Sequence, residues 1–86
     1  MKAKIKKYVK ERDKMLKKKS VAELRKFVTE HEEFYSEEYI KKFNEADDEV
    51  LEVTLHKMIV NVTSLPPQLR ADSARWLIFN GFALYI

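Results

Sequence analysis

Turn-forming residues are scarce in this sequence, which has one glycine and two prolines among 86 residues. A sheet of short strands needs many such residues between its strands, whereas a bundle of helices needs few. The helix formers lysine, glutamate, leucine and alanine are abundant. The sequence therefore predicts an all-α protein, folded as a compact bundle of four to five helices.

Local signals divide the chain into its helices. Ser20 stands three residues before Glu23, the spacing of a capping box, and Ser36 precedes two glutamates that suit a first helical turn. Pro67 fits the first turn of a last helix and Gly81 fits its end, with Phe82 packing back on Leu77. We expect a single helical domain over residues 1–86, with helices at about 3–18, 21–35, 37–43, 48–63 and 67–79.

The helix at about 48–63 is the most apolar of the five. Its apolar positions cover more than half of the helical circumference, which is typical of a helix surrounded by others. We therefore expect it to be the central helix of the bundle. The positions expected to be buried are Val50, Leu51, Val53, Leu55, Met58, Ile59, Val60 and Val62.

Charge is divided unevenly along the chain. Residues 1–19 contain nine lysines and one arginine against two acids, while residues 20–52 contain four basic residues against eleven acids. One interpretation is that the first helix packs antiparallel to the second or third, so that its lysines flank acidic neighbours. The other is that a lysine cluster binds the phosphates of a nucleic acid without reading its sequence, since arginine is scarce. The cluster consists of Lys4, Lys7, Lys14 and Lys18, with Lys10 and Lys17 flanking it.

Candidate catalytic and metal-binding residues are few. The chain has no cysteine and two histidines, and His56 with Glu52 one turn earlier would supply only two metal ligands. Ser73 is accompanied by no nucleophile-elbow motif. We expect His31, on the apolar side of its helix, to be partly buried with a hydrogen-bond partner. The sequence thus predicts a non-enzymatic protein without a metal or a cofactor.

The carboxyl end is rich in aromatic and aliphatic residues, in the stretch WLIFNGFALYI. Most of these side chains should belong to the core, but a bundle of this size has difficulty covering all of them. An uncovered remainder would bind another protein or form a homodimer. The aromatic residues concerned are Trp76, Phe79, Phe82 and Tyr85.

The amino-terminal lysines are not followed by the apolar run of a signal peptide, and the longest apolar stretch is too short to cross a bilayer. Together with the lack of cysteine, this favours a cytoplasmic protein without a membrane span. The leading hypothesis is a small helical protein that binds another protein as an adaptor, an inhibitor or an accessory factor. One alternative is sequence-independent nucleic-acid binding through the basic first helix, and a third possibility is a purely structural homo-oligomer.

Overall fold

Five α-helices follow one another along the chain. The computed structural model describes residues 2–83, and no strand occurs in that range, so the all-α prediction is confirmed. The molecule measures 38 × 29 × 19 Å. The helices are α1 (Lys2–Leu16), α2 (Val21–Glu30), α3 (Glu37–Glu45), α4 (Asp48–Asn61) and α5 (Pro67–Phe79), and a 3₁₀ turn (Glu32–Phe34) lies between α2 and α3.

Side-chain oxygens cap the amino ends of α2, α3 and α4. Ser20 Oγ accepts a hydrogen bond of 3.4 Å from the backbone N–H of Glu23, and Ser36 Oγ accepts one of 3.1 Å from the third residue of its own helix. Asp47 Oδ1 does the same for Val50 at 2.9 Å. Each cap satisfies a backbone donor that has no partner within its helix. The predicted starts of these three helices are confirmed.

The end of α2 differs from the prediction, which carried this helix to about residue 35. α2 ends at Glu30, and His31 has φ −128° and ψ 35°, outside the helical range. The ring nitrogen Nδ1 of His31 lies 2.7 Å from the carbonyl oxygen of Phe27, the acceptor that the backbone N–H of His31 would use in a continued α-helix. That N–H instead donates to Val28 at 3.1 Å. The side chain therefore takes the place of the next helical hydrogen bond.

α4 lies at the centre of the bundle and contacts α1, α2 and α5, as the sequence predicted. Leu51, Leu55 and Ile59 of α4 are buried. The prediction that Val50 is buried is wrong, because its side chain is 52% exposed. Val50 is nine residues from Ile59 and therefore projects half a circle away from it around the helix. The buried core that α4 shares with α1, α2, α3 and the α4–α5 loop also contains Met15, Leu16, Leu24, Phe27, Val28, Phe43 and Leu65.

Two helical hairpins make up most of the bundle, since α1 packs on α2 and α4 packs on α5. Tyr8 in the first half of α1 meets Tyr35, beyond α2, at 2.6 Å between their hydroxyl oxygens, so α1 and α2 run antiparallel. Arg25 of α2 joins the hairpins through hydrogen bonds of 2.9 Å to the carbonyl oxygen of Ala46 and to Asp48. This guanidinium fixes α2 against the junction of α3 and α4.

Candidate functional site

An apolar groove of about 790 Å³ runs along the outward face of α4. Its floor is formed by one side of α4, and its walls come from α3 with Tyr35, two residues before it, and from the segment after α5. This groove is the feature that analysis of the sequence missed, because Val50 was assigned to the core. The residues that line it are Tyr35, Tyr39, Glu49, Val50, Val53, Thr54, Lys57, Met58 and Phe82.

The wall on the α3 side consists of two tyrosine rings. Tyr35 and Tyr39 stack with their centroids 4.9 Å apart. Burial raises the pKa of both phenols, and the hydrogen bond to Tyr8 raises that of Tyr35 further. Both side chains are therefore neutral at physiological pH, and this wall presents uncharged aromatic surface to the groove.

The opposite wall is Phe82, which is positioned by the end of α5. Gly81 has φ +78°, and its backbone N–H donates to Ile78 at 3.1 Å while that of Phe82 donates to Leu77 at 2.9 Å. These two hydrogen bonds are those of a Schellman motif, so the predicted role of Gly81 as the helix stop is confirmed. The Phe82 ring stacks on Trp76 with 6.3 Å between centroids and remains 40% exposed.

The other aromatic residues proposed for partner binding differ in exposure. Trp76 is partly buried and stacks on His56 with 4.2 Å between ring centroids. Phe79 is 86% exposed, and Ile78 beside it is 62% exposed, so the expectation that most of this segment lies in the core is wrong for these two. Tyr85 lies outside the described residues. The uncovered apolar surface that the sequence predicted is therefore centred on Phe79 and on the groove beside Phe82.

Lys4, Lys7, Lys14 and Lys18 are all exposed and border the seam between α1 and α2. The acids of α2 and of the turn after it lie in the same seam. Glu23 lies 3.6 Å from Lys18 Nζ, Glu30 shares a cleft with Lys14, and Glu33 shares one with Lys4 and Lys7. The seam thus mixes both signs of charge, as expected for helices that pack antiparallel.

A second set of lysines lies on the flank of α1 that faces away from this seam. Lys6, Lys10 and Lys17 recur at intervals of four and seven residues, which places them on one side of α1. All three are exposed. Within residues 2–83, no carboxylate lies within 4.0 Å of any of the three ammonium groups. Asp13, three residues after Lys10 and four before Lys17, lies on the same side and pairs with Arg12 at 3.1 Å. This flank is therefore mainly, but not wholly, positive.

His56 and Ser73 join α4 to α5. His56 Nδ1 lies 2.9 Å from Ser73 Oγ, and Ser73 is 0% exposed. Burial lowers the pKa of His56 below 6.5, although Glu52 opposes the shift. The ring is therefore neutral at physiological pH, and Ser73 supplies its buried partner. A serine without exposed surface offers no path for a substrate to its oxygen, so the pair is a packing contact rather than a nucleophile and its base.

His31 also has two hydrogen-bond partners, one for each ring nitrogen. Nε2 lies 2.7 Å from Glu11 Oε2, and Nδ1 lies 2.7 Å from the Phe27 carbonyl oxygen. Both partners are acceptors, so the imidazolium form, with two N–H donors, matches them best. Burial lowers the pKa of His31, but these acceptors outweigh it and raise the pKa above 6.5. The predicted partly buried histidine with a hydrogen-bond partner is confirmed.

Among residues 2–83, no cluster of three or more histidine and acidic side chains is arranged to hold a metal ion. In that same part of the chain, none of the helices has the length and apolar character needed to cross a bilayer. Comparison with protein-family models, with curated proteins and with solved structures found no match.

Proposed function

We propose that this protein is not an enzyme and that it acts by binding a segment of another protein in the groove on α4. The observation that carries the proposal is Val50, an aliphatic side chain 52% exposed in a groove lined mainly by apolar residues. Concave apolar surfaces of this kind are typical of binding sites. An adaptor, an inhibitor or an accessory factor would use such a site, and the lack of cysteine favours the cytoplasm as its location.

The two ends of the groove floor carry opposite charges, and these indicate where the partner segment should carry complementary charges. Glu49 lies at one end and Lys57 at the other, eight residues or about 12 Å apart along α4. An amphipathic helix laid in the groove would place two or three apolar side chains over Val50, Val53 and Met58. The segment proposed is therefore an amphipathic helix with a basic residue near Glu49 and an acidic residue near Lys57.

The test compares two variants with the same change in charge. Val50→Glu places a carboxylate in the groove, while Ile5→Glu places one on α1 at a residue that is 55% exposed. Proteins retained by the immobilised wild type are identified, and each is then purified. Its affinity for the wild type and for each of the two variants is measured by titration calorimetry. The expected result is a partner whose affinity falls at least about tenfold with Val50→Glu, since a buried unpaired carboxylate costs several kcal/mol. Its affinity for Ile5→Glu should equal that for the wild type.

Circular dichroism shows whether both variants retain the helical fold, which is expected because both positions are exposed. A purified partner that binds Val50→Glu as tightly as the wild type would contradict the groove as its binding site. If the wild type retains no protein whose binding can be reproduced with purified components, the proposed function itself fails.

A second candidate function is sequence-independent nucleic-acid binding through α1. The observation in its favour is the flank formed by Lys6, Lys10 and Lys17, none of which forms an ion pair within 4.0 Å in the described part of the chain. This flank includes Lys10 and Lys17, which were expected to border the predicted cluster, and it suits phosphate contacts better than Lys4, Lys7, Lys14 and Lys18 do. Those lysines lie beside the acids of α2, whose negative potential would oppose a phosphate.

The two lysine sets provide a matched experiment with duplex DNA. If α1 binds phosphates, changing Lys6, Lys10 and Lys17 to glutamine should abolish binding at about 50 mM salt, and wild-type binding should weaken steeply by about 300 mM. The same change at Lys4, Lys7 and Lys14 should have the smaller effect. A wild type that does not bind DNA at low salt would rule this candidate out.

A further inference from the structure

His31 is the single residue that separates α2 from the 3₁₀ turn, and this turn leads to Tyr35, which lines the groove. The backbone of His31, at φ −128° and ψ 35°, breaks the helical path at this point. A rotation of this one residue into the helical range would join α2 and the turn into a longer α-helix. The position of Tyr35 therefore depends on the conformation of His31.

Two residues of α1 hold this segment at its two ends. Glu11 Oε2 lies 2.7 Å from His31 Nε2, and the hydroxyl oxygen of Tyr8 lies 2.6 Å from that of Tyr35. Tyr8 and Glu11 are three residues apart, so they lie on the same side of α1. The segment that carries the groove wall is thus held to α1 at His31 as well as at Tyr35.

The hold at His31 depends on protonation of both ring nitrogens. Nδ1 lies 2.7 Å from the carbonyl oxygen of Phe27, and both this oxygen and that of Glu11 are acceptors. A neutral imidazole has only one N–H. Because a hydrogen bond to a carboxylate is the stronger of the two, the remaining proton stays on Nε2. The Phe27 oxygen is then left to the backbone N–H of His31, its donor in a continued α-helix.

Charged groups of both signs surround the His31 ring, and Glu11 is the one that bonds to it in the described part of the chain. Tyr8 faces the ring edge-on with 5.7 Å between centroids. Burial, the Phe27 carbonyl and Glu11 have the largest effects on the pKa of His31, which is raised above 6.5. The other charged groups in the two clefts beside the ring are Lys4, Lys7 and Lys14 of α1, Lys26 and Glu30 of α2, and Glu33 of the turn, together with the ion pair between Lys18 and Glu23.

We propose that the doubly protonated ring of His31 holds the Tyr35 wall of the groove in place, and that loss of one ring proton extends α2 through the 3₁₀ turn and displaces this wall. The groove is then complete at acidic pH and loses a wall as pH rises. The effect on a partner rests on the proposed function: its affinity should fall with rising pH, by at most about tenfold per pH unit for one proton. The conformational change does not rest on that function.

The first test is a pH titration of the full chain by nuclear magnetic resonance between about pH 5 and pH 8. The chemical shifts of the His31 ring give the midpoint of its titration. Below the midpoint, nuclear Overhauser effects are expected between the rings of Tyr35 and Tyr39, whose centroids are 4.9 Å apart. Above it, these should be lost, and one should appear between Hα of His31 and the amide proton of Tyr35, four residues apart as in an α-helix. A ring that titrates while these signals stay unchanged would overturn the proposal.

Two variants separate His31 from the other histidine. His31→Gln cannot bond both acceptors, because the donors of a glutamine amide lie on one nitrogen, so it should show the high-pH signals throughout the range. His56→Gln is the matched control, since His56 stacks on Trp76 beside the opposite wall. It should keep the wild-type transition, and loss of the transition in this control would overturn the assignment to His31. The wild-type titration decides the question even if His31→Gln does not fold.

Glu11→Gln tests the coupling between the ring and the wall. The amide oxygen of glutamine still accepts from Nε2 of His31 but carries no charge, so the ring should titrate at lower pH. The change at Tyr35 should move with it by the same amount. A ring midpoint that moves while the change at Tyr35 stays at its original pH would overturn the proposal. Since no partner protein takes part in these measurements, their failure and a failure of the proposed function are separate results.

Discussion

Replacing each histidine with glutamine should change the pH dependence of stability in opposite directions. The pKa of His31 is raised in the folded protein. The folded state therefore holds this proton more tightly than the unfolded state. The stabilisation is fully present below pH 6.5 and is lost as pH rises through the folded pKa. His31→Gln removes this contribution, so the free energy of unfolding should rise more, or fall less, with increasing pH than in the wild type.

His56 has the opposite sign because its folded pKa is lowered. The unfolded state binds the proton more tightly, so stability is present above pH 6.5 and is lost as pH falls through the folded pKa. His56→Gln removes this loss at low pH. The variant should therefore show a stability that falls more, or rises less, with increasing pH than that of the wild type.

The size of each change in pH dependence follows from the binding of a single proton. A group that is protonated in one state and not in the other changes the free energy of unfolding by at most about 1.4 kcal/mol per pH unit. In the wild type the two contributions partly cancel. At pH 6 the His31→Gln variant should also lose about 1 kcal/mol, which is below the range of about 1.5 to 3 kcal/mol for hydrogen bonds to charged groups because the Glu11 side chain is 41% exposed.

The assay is urea unfolding followed by circular dichroism at several values between about pH 5 and pH 8, where histidine titrates. The wild type and the two variants contain the same carboxylates. Differences between the pH dependences of their free energies of unfolding therefore report the histidines. An unchanged urea dependence, the m-value, shows that the unfolded states are comparable. If both variants shift the slope in the same direction, or if His31→Gln leaves it unchanged, the reasoning is refuted.

Two further changes test the packing of α5. Ser73→Ala removes the hydrogen-bond partner of His56 Nδ1; Ser73 is fully buried, whereas the His56 side chain is partly exposed, so the change should cost about 1 kcal/mol in urea unfolding. The double variant Ser73→Ala/His56→Leu should recover part of that loss, and a larger loss would contradict the assigned hydrogen bond. Gly81→Ala places a side chain at φ +78° in open space and should lower the free energy of unfolding by about 1 kcal/mol through backbone strain alone. A neutral effect there would contradict the left-handed conformation.

The parts of the fold that the sequence predicted depend on short-range interactions. A serine or aspartate cap bonds a backbone N–H three residues away, as at Ser20, Ser36 and Asp47. Gly81 stops α5 through hydrogen bonds to residues three and five positions earlier. Such interactions lie within one turn or so of the chain, so the order and the starts of the helices follow from the local sequence.

The errors arose where distant residues decide the outcome. α2 ends early at His31, whose ring is held by Glu11 from another helix as well as by Phe27. The apolar side of α4 is wide enough to serve both the core and the groove, and only the packing of its neighbours leaves Val50 exposed. Likewise, the sequence does not indicate which lysines of α1 lie beside acids, because the position of α2 determines this.

The ring stack at Trp76 makes the protein its own optical probe. This is the only tryptophan of the chain, and its ring stacks on that of His56, at 4.2 Å, and on that of Phe82, at 6.3 Å. Its emission therefore comes from a single site that adjoins both a titrating imidazole and the Phe82 wall of the groove. Filling or emptying the groove, and protonating His56, should each alter the fluorescence of the unlabelled protein. Both events can then be followed in real time by rapid mixing.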